Sequence, residues 1–441
     1  MGGLLTILSS CASADRAAMS ASDETVPDTV AIAQDLPVFS ESLPSPDHPV
    51  GAFPLIASSP PTPGVVATPI AMAPSSAGDV AEPADVAEPA DVVEPAEIPV
   101  SIEPVLRRAS FVFSGDTLTH SPVVNAANAA AGGAGFDFAP MFARVAPVIA
   151  AADLGVCHLE TPIAPPGTAL STYPQYGVPA ELTVGLASAG YDRCSTASNH
   201  TMDRGVAGID ATVDALQAAG LSQAGMARSP DEAVVALFDV SGIAVAHLSF
   251  TMDLNGGHLP RSEPWRSNIL SAESVITAAT DARARGAAIV IVSLHWGTER
   301  VSAPNEFQRR IAEAVTASGQ VDLIVGHHAH VIQPIQQING RWVVFGMGNF
   351  LSNMPTGDSW PASTQDGMMV SVSIAEQLDG TFVVEQPVAI PTWVDRQHGF
   401  VIRPVQSDLI DPTVADSIKL QLQASLVRTS SVVGEFVTHS G

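Results

Sequence analysis

Short apolar runs alternate with helical stretches through the central part of the chain, and this alternation predicts an α/β fold. Continuous apolar and β-branched runs are typical of strands that are buried on both faces. Polar residues follow closely after five such runs, which span 110–114, 153–157, 193–197, 288–294 and 321–325. Because polar residues just past the carboxyl ends of neighbouring strands share one crevice, we expect a functional site there.

The other elements follow from helical periodicity, glycine positions and turn residues. The pattern predicts a Gly-rich loop over 126–135 and helices over 138–152, 179–189, 205–219, 271–285, 305–318 and 412–425. Further strands are expected over 234–240, 243–249, 332–338, 342–345, 368–374 and 381–387. The sequence therefore favours one large α/β domain over 109–405 with a C-terminal helical tail over 406–441.

The first hundred residues have a different composition, rich in Pro, Ala, Ser and Val. They contain a near-repeat that begins at Asp79, Asp85 and Asp91, each time with Glu-Pro-Ala at its end. Acidic Pro-rich repeats favour extended, polyproline-like conformations rather than a packed core. We therefore expect residues 23–108 to form a long disordered Pro/Ala-rich linker ahead of the folded domain.

The N-terminus carries a short apolar stretch followed by Leu8-Ser9-Ser10-Cys11. This tetrapeptide resembles the cleavage box of bacterial lipoproteins, in which the cysteine becomes the lipid attachment site. We expect residues 1–22 to contain a short lipoprotein signal and the start of the tail, with Cys11 lipidated and the membrane as a partner. The alternative is a chance match within a disordered N-terminus.

Charge and hydropathy restrict the partners further. The formal net charge is −26, Lys419 is the single lysine, and there is no run of basic residues. Nucleic acid is therefore excluded as an expected partner. No apolar stretch is long enough to predict a transmembrane helix.

Three cysteines are present, and none has the spacing of a metal site. Cys157 and Cys194 fall in predicted core strands, where free cysteine behaves as a small hydrophobic residue. Two buried thiols are the favoured interpretation, and a disulfide would require the two strands to be neighbours.

The residues past the strand ends are of the types that bind divalent metals in proteins. They include Asp116, Glu160, Asn199, His200, His295 and the cluster His327-His328-Ala329-His330. Alternate residues of an extended chain point the same way, so His328 and His330 are expected to reach one metal while His327 points elsewhere. Asp203 is placed to fix the tautomer of His200. A competing interpretation, which could hold at the same time, has Thr201 or Asp203 cap the following helix.

Six motifs occur in order along the predicted core. They are Gly115-Asp116, His158-Leu159-Glu160-Thr161-Pro162, Ser198-Asn199-His200-Thr201-Met202-Asp203-Arg204-Gly205, Leu294-His295-Trp296-Gly297-Thr298-Glu299, Gly326-His327-His328-Ala329-His330-Val331-Ile332-Gln333-Pro334 and Gly346-Met347-Gly348-Asn349-Phe350. Together they resemble the bacterial capsule-synthesis (poly-γ-glutamate, PGA_cap) family of the calcineurin-like metallophosphoesterase superfamily. The resemblance covers about residues 109–355.

The resemblance implies a four-layer α/β/β/α sandwich with one or two divalent ions, Mn, Fe or Zn, at the strand ends. By motif position it implies six metal ligands, namely Asp116, Glu160, Asn199, His295, His328 and His330. It also implies that His200 acts on the substrate, with Asn199 and Asp203 as further catalytic residues. His158, Glu299 and His327 are expected next to the ligands.

The motifs depart from the family at three positions. His158 stands where the family usually has Asn, Ser198 stands where it has the first of two Asn, and Arg300 stands where an aromatic residue commonly follows Glu299. Relative to the wider superfamily, Glu160 replaces an Asp that bridges two metals, so occupancy by one ion or by two stays open. None of these changes removes an expected ligand.

The expected function is that of an exported or membrane-anchored bacterial protein with metal-dependent hydrolase chemistry. Metal-activated water would attack a phosphoester or a γ-glutamyl or peptide bond, so the substrate is an envelope polymer or a phosphoester. The alternative is a non-catalytic assembly factor of an envelope polymer export machine.

Overall fold

The computed structural model describes residues 106–357 and 360–437. Within these ranges the chain forms fifteen strands: β1 (Arg108–Leu118), β2 (Leu154–Leu159), β3 (Arg193–Ser195), β4 (Ser222–Ala224), β5 (Leu237–Val240), β6 (Ile243–Thr251), β7 (Ile289–His295), β8 (Leu323–His327), β9 (Ile335–Ile338), β10 (Arg341–Val344), β11 (Asn349–Ser352), β12 (Asp366–Glu376), β13 (Phe382–Val384), β14 (Val388–Asp395) and β15 (Val401–Pro404). Cys11 and residues 23–105 of the predicted linker lie outside the described residues, whereas Arg108, the last residue of that predicted linker, begins β1.

The strands build two sheets. The first has the order β15-β14-β12-β1-β2-β3-β4, with β11 beside β1 and β13 beside β12. The second has the order β5-β6-β7-β8-β10-β9. Strands β1 to β4 run parallel, as do β6, β7 and β8, so each sheet brings several carboxyl ends to one edge.

Nine α-helices occur among the described residues: α1 (Ser121–Ala130), α2 (Ala139–Phe142), α3 (Ala146–Ile149), α4 (Glu181–Ser188), α5 (Gly205–Ala218), α6 (Ala272–Ala284), α7 (Glu306–Ala317), α8 (Val405–Ile410) and α9 (Asp416–Val433). None of the helices in this part of the chain is both long and apolar enough to cross a membrane.

Three apolar clusters show how the layers pack. Residues of both sheets, such as Phe113 of β1 and Ile291 of β7, share the central cluster between the sheets. Phe142 and Leu216, from α2 and α5, pack on the outer face of the first sheet. Val275 of α6 belongs to the cluster on the outer face of the second sheet. The order is therefore helix, sheet, sheet, helix, and the expected four-layer α/β/β/α sandwich is confirmed.

Two predictions for the region after β1 are wrong, one of a helix and one of a loop. The expected helix over 138–152 is two short helices, α2 and α3, because Pro147 lacks a backbone N–H and starts a new helix instead of continuing one. The expected loop over 126–135 begins inside α1, which has Pro122 in its first turn. Proline thus favours the start of a helix at both places.

The C-terminal region also differs from the prediction. The last long helix spans Asp416–Val433 rather than 412–425. It packs Leu422 against Trp393 of β14, and Arg428 donates two hydrogen bonds to Asp366 of β12. The predicted boundary between 405 and 406 stays a prediction.

Cys157 and Cys194 form a disulfide, so the expectation of two free thiols is wrong. The two cysteines lie opposite one another on the paired strands β2 and β3, with their Cα atoms 4.4 Å apart. The bond therefore links the two strands that lead into Glu160 and Asn199.

Candidate metal centre

Polar side chains from five strands meet at one edge of the two sheets. Asp116 lies near the end of β1, Glu160 follows β2, Asn199 and His200 follow β3, and His295 ends β7. His327 ends β8, and His328 and His330 follow it. All of these side chains are buried, with His200 the most exposed at 8%. The structure thus brings together every residue that the sequence places at a strand end.

The potential ligand atoms of this group lie close together around Glu160. Glu160 Oε1 is 3.6 Å from His330 Nε2 and 3.9 Å from His295 Nε2. His330 Nδ1 is 3.2 Å from Asp116 Oδ2, and His295 Nε2 is 3.0 Å from Asn199 Oδ1. We call this group of closely spaced side chains the polar centre.

Three overlapping groups have ligand atoms within 4.8 Å of one another: Asp116 with His158 and His327, Asp116 with Glu160 and His330, and Glu299 with His328 and His330. Asp116 and His330 each belong to two groups. The donor set is therefore large enough for one ion or for two.

Glu160 gives the clearest test of whether a cation fits. Both of its carboxylate oxygens are buried, and neither has a hydrogen-bond partner among the described residues. Burial raises the pKa of Glu160 well above its usual range, against the opposing charge of His330. A buried carboxylate without hydrogen bonds is unfavourable, and a bound cation removes that cost.

The neighbouring imidazoles are suited to ligation. Burial holds the pKa of His295 and that of His158 well below the usual value for histidine, so both rings are neutral at pH 7. Neutral imidazole is the form that binds metals. Burial also opposes ionisation of Asp116, but hydrogen bonds from His327 and His330 outweigh it and hold the pKa of Asp116 below its usual range.

The prediction that His327 points away from His328 and His330 is wrong. His327 Nδ1 lies 3.2 Å from Asp116 Oδ1, and its ring stacks on His158 with the centroids 3.8 Å apart. The alternation expected of an extended chain fails because His328 and His330 have positive φ angles of 86° and 55°. All three histidines therefore face the same crevice.

His158 connects two of the strand ends. Its Nδ1 lies 2.8 Å from Ser195 Oγ, and its Nε2 lies 3.0 Å from His295 Nδ1. The residue that departs from the family pattern is thus part of the polar centre and orients His295.

His200 lies at the rim of the centre. Its Nδ1 is 2.7 Å from Asp203 Oδ2, and the same oxygen accepts a 2.7 Å hydrogen bond from the backbone of Tyr176. Its Nε2 faces Glu160 Oε1 at 4.0 Å. Asp203 therefore holds the ring, while the alternative of a helix cap fails because Arg204 is the N-cap of α5 and no side chain caps it.

Two asparagines take part in the site without having been assigned a role from the sequence. Asn349 Oδ1 lies 3.1 Å from His330 Nδ1, and its amide nitrogen donates to the backbone oxygen of His330. Asn255 Oδ1 accepts a hydrogen bond from Asn199 Nδ2. Asn255 lies just past the end of β6, so the rule that selected the other strand-end residues could have found it.

Glu299 and Arg300 border the centre on the second sheet. The carboxylate of Glu299 belongs to the group with His328 and His330. Arg300 places its guanidinium 4.4 Å from the ring centroid of Trp360 and donates its backbone N–H to Ala329. A fixed cation thus lies beside the loop that carries His328 and His330.

Comparison with known proteins gives one family match. The model of the family described as "Bacterial capsule synthesis protein PGA_cap" matches residues 110–354, which includes every residue of the polar centre.

Curated relatives have related descriptions. The PGA biosynthesis protein CapA of Bacillus subtilis is 28% identical over 252 residues, which are 55% of this chain and 63% of that protein. The capsule biosynthesis protein CapA of Bacillus anthracis is 28% identical over 209 residues, which are 46% of this chain and 49% of that protein. The chain therefore covers less than two thirds of the length of either relative.

Solved structures show more distant similarity. A phosphatase from Mycoplasma pneumoniae is 14% identical with a TM-score of 0.41, covering 65% of this chain and 94% of that one. The calcineurin-like phosphoesterase YfkN from Bacillus subtilis is 15% identical with a TM-score of 0.40, covering 74% of this chain and 99% of that one.

Proposed function

The chain belongs to the bacterial capsule synthesis protein family PGA_cap, and from that premise we propose that it is an envelope-associated, metal-dependent hydrolase. Its substrate is a phosphoester or a γ-glutamyl or peptide bond of an envelope polymer. The names of the Bacillus relatives refer to capsule and PGA biosynthesis, and they support the proposal that the substrate is an envelope polymer.

The observation that carries this proposal is the buried carboxylate of Glu160, which faces several histidine side chains. Both Glu160 oxygens are buried without a hydrogen-bond partner in the described structure, and two histidine nitrogens lie within 4 Å of one of them. Six residues would hold one or two divalent ions: Asp116, Glu160, Asn199, His295, His328 and His330. His327 and His158 would support the ligand Asp116. Mixed nitrogen and oxygen donors suit Mn, Fe or Zn.

The chemistry supplied by a divalent ion at this position is the activation of water and the stabilisation of developing negative charge. The chain's own residues position the substrate and move the proton. With the Nδ1 of His200 held by Asp203, its Nε2 faces Glu160 and is the ring nitrogen that would act on a substrate bound there. His200 Nε2 therefore gives the proton to the leaving group, and Asp203 keeps the ring oriented.

Asn199 completes the site on the first sheet. Its side-chain oxygen lies 3.0 Å from His295 Nε2, and its amide nitrogen donates to Asn255. This hydrogen bond turns the amide oxygen toward the centre, where it can serve as a neutral ligand. Asn199 thus combines a ligand role with a place next to the catalytic His200.

The experiment is a hydrolysis screen on the full chain after reconstitution with Mn²⁺, Fe²⁺ or Zn²⁺. Phosphodiesters and γ-glutamyl peptides form the two substrate arms, and His200→Ala is compared with His398→Ala, a half-exposed histidine bonded to Asp395. We expect turnover that His200→Ala reduces by about 10²–10⁴-fold and that His398→Ala leaves unchanged. Metal binding without turnover in either arm would contradict the hydrolase and favour an assembly factor.

We also propose that the protein acts outside the cytoplasm, attached to the membrane through a lipid on Cys11. The disulfide between Cys157 and Cys194 supports export, because disulfides persist mainly in oxidising compartments. The acidic Pro-rich segment over 23–108 then serves as a spacer between the membrane and the domain.

A further inference from the structure

A buried cation lies between the two sheets on the flank of the domain, away from the strand ends that form the metal centre. Arg193, the first residue of β3, is only 4% exposed. Its Nε donates to His247 Nδ1 at 3.1 Å, Nη1 donates to Ser222 Oγ at 3.1 Å and Nη2 donates to the backbone oxygen of Gln223 at 3.0 Å. Its guanidinium also lies 4.4 Å from the ring centroid of Phe238. Every one of these partners is neutral.

Among the described residues, the positive charge of Arg193 has no counter-charge. No carboxylate of the described residues lies within salt-bridge distance of its guanidinium, although eight other arginines in the same part of the chain each contact a buried or half-buried acid. Burial lowers the pKa of Arg193 to about 10, so the side chain is still charged at neutral pH. Buried charges are normally paired, since the cost of removing them from water is otherwise not recovered.

His247 cannot supply the negative charge that would balance the guanidinium of Arg193. Its Nδ1 accepts the hydrogen bond from Arg193, so its proton lies on Nε2, which is 2.8 Å from Ser293 Oγ. Burial and the charge of Arg193 hold the pKa of His247 well below its usual value. The His247 ring is a neutral hydrogen-bond acceptor, and Arg193 and His247 together keep one positive charge.

A cavity of about 60 Å³ has Arg193 among its lining residues. Its polar lining comes from Arg193, Gln223, His247, Ser249 and Asn268. Glu232 is the one carboxylate among the lining residues, and both of its oxygens accept hydrogen bonds from Arg228. Since about 10–15 Å³ of cavity volume is enough to hold one water molecule, the space has room for a small ion together with water.

We propose that this cavity binds one small monovalent anion, a halide or a small carboxylate, as the counter-ion of Arg193. The size of the cavity favours such an ion over a phosphate ester or a polymer segment. Arg193 belongs to the first sheet and His247 to the second, so the ion stabilises the packing of the sheets against each other. The inference is independent of the hydrolase proposal.

The test is thermal unfolding of the full chain at constant ionic strength, with sodium gluconate replaced stepwise by sodium bromide or by sodium formate. Gluconate is too large for the cavity, and the two small anions separate the halide from the carboxylate. We expect a saturable rise in Tm of about 2–4 °C at tenfold excess over the dissociation constant. Arg193→Met should lose this dependence, and Arg309→Met, which removes an exposed arginine, should keep it.

A second measurement does not depend on a folded variant. Crystals of the wild-type chain grown with bromide should show an anomalous peak next to the Arg193 guanidinium. If the crystals showed only ordered water at that place, the proposal would be overturned. An equal rise in Tm for wild type and Arg193→Met would also overturn it, since the anions would then act elsewhere.

Discussion

The backbone N–H of His328 donates a 3.1 Å hydrogen bond to Asp116 Oδ2, and this bond joins the two sheets at the candidate metal centre. Asp116 belongs to β1 of the first sheet, whereas His328 follows β8 of the second. The donor set around Glu160 therefore exists only when the sheets are packed in this register. Changes that separate the sheets or shift β1 are expected to affect metal binding even when they alter no ligand.

Gly115→Ala is such a change. A Cβ at position 115 would lie 2.2 Å from the backbone oxygen of Gly348 and 2.9 Å from that of Met347. The Gly348 oxygen also accepts the hydrogen bond from the N–H of Asp116. We expect the variant to lose about 1–3 kcal/mol of unfolding free energy in urea and to bind metal more weakly.

Gly357→Ala is the matched control, because no atom of the described residues lies within 4 Å of a Cβ at that position. It should match the wild type in urea and in metal titration. If Gly115→Ala behaved like Gly357→Ala, the close contact between β1 and the loop before β11 would not position Asp116.

Asp203→Asn tests the orientation of His200. The carboxylate accepts both the Nδ1 proton of His200 and the backbone N–H of Tyr176, and the amide can present its NH₂ group to the ring instead. We expect kcat to fall about 10–100-fold with metal content unchanged, and the pH profile of kcat to shift. Asp214→Asn, on the exposed face of α5, is the control. Loss of metal together with activity would mean that Asp203 supports the ligands and not His200.

Removal of the tail tests the domain boundary. A chain that begins at Leu106 keeps Arg107 and Arg108, which bond to Glu376 and Glu385. We expect its Tm to lie within about 2–4 °C of that of the full chain, because the composition of the Pro-rich segment predicts too little buried apolar area to stabilise the domain. Strong hydrogen-exchange protection around 79–96 in the full chain would contradict this prediction.

The elements that the sequence predicts well are those whose signal is local. The run over 288–294 corresponds to β7 and the helix over 305–318 to α7, since a doubly buried strand is apolar throughout and Asn305 with Gln308 forms a capping box. Strands β4 and β11 have three and four residues, and they are held by neighbouring strands rather than by their own pattern.

The residues of the candidate site also fall into those that a local sequence pattern predicts and those that it does not. Residues at strand ends, such as Asp116 and His295, could be predicted because parallel strands bring their carboxyl ends together. The direction of His327 could not, since it depends on the left-handed backbone of His328 and His330. The contact between Asn349 and His330 depends on the pairing of β11 with β1, which is a long-range register that no local pattern indicates.

Cys11→Ser tests the proposed lipid anchor. Expressed in its native host, the wild-type protein should partition into detergent, and the variant should stay in the aqueous phase. The physical reason is that an acyl chain contributes about 0.8 kcal/mol for each buried CH₂ group. Equal partition of the two proteins would show that the match at Leu8–Cys11 is accidental.

The central claim is that the polar centre holds a divalent ion, and the direct measurement is the metal content of the purified full chain. We expect about one or two equivalents of Mn, Fe or Zn in the wild type, with saturating metal raising stability by about 2.7 kcal/mol at 100 times the dissociation constant. Glu160→Gln and His328→Ala should lose stoichiometric metal and this stabilisation, while His398→Ala should keep both. Unchanged metal content in Glu160→Gln and His328→Ala would contradict the account, because the ion would then lie elsewhere.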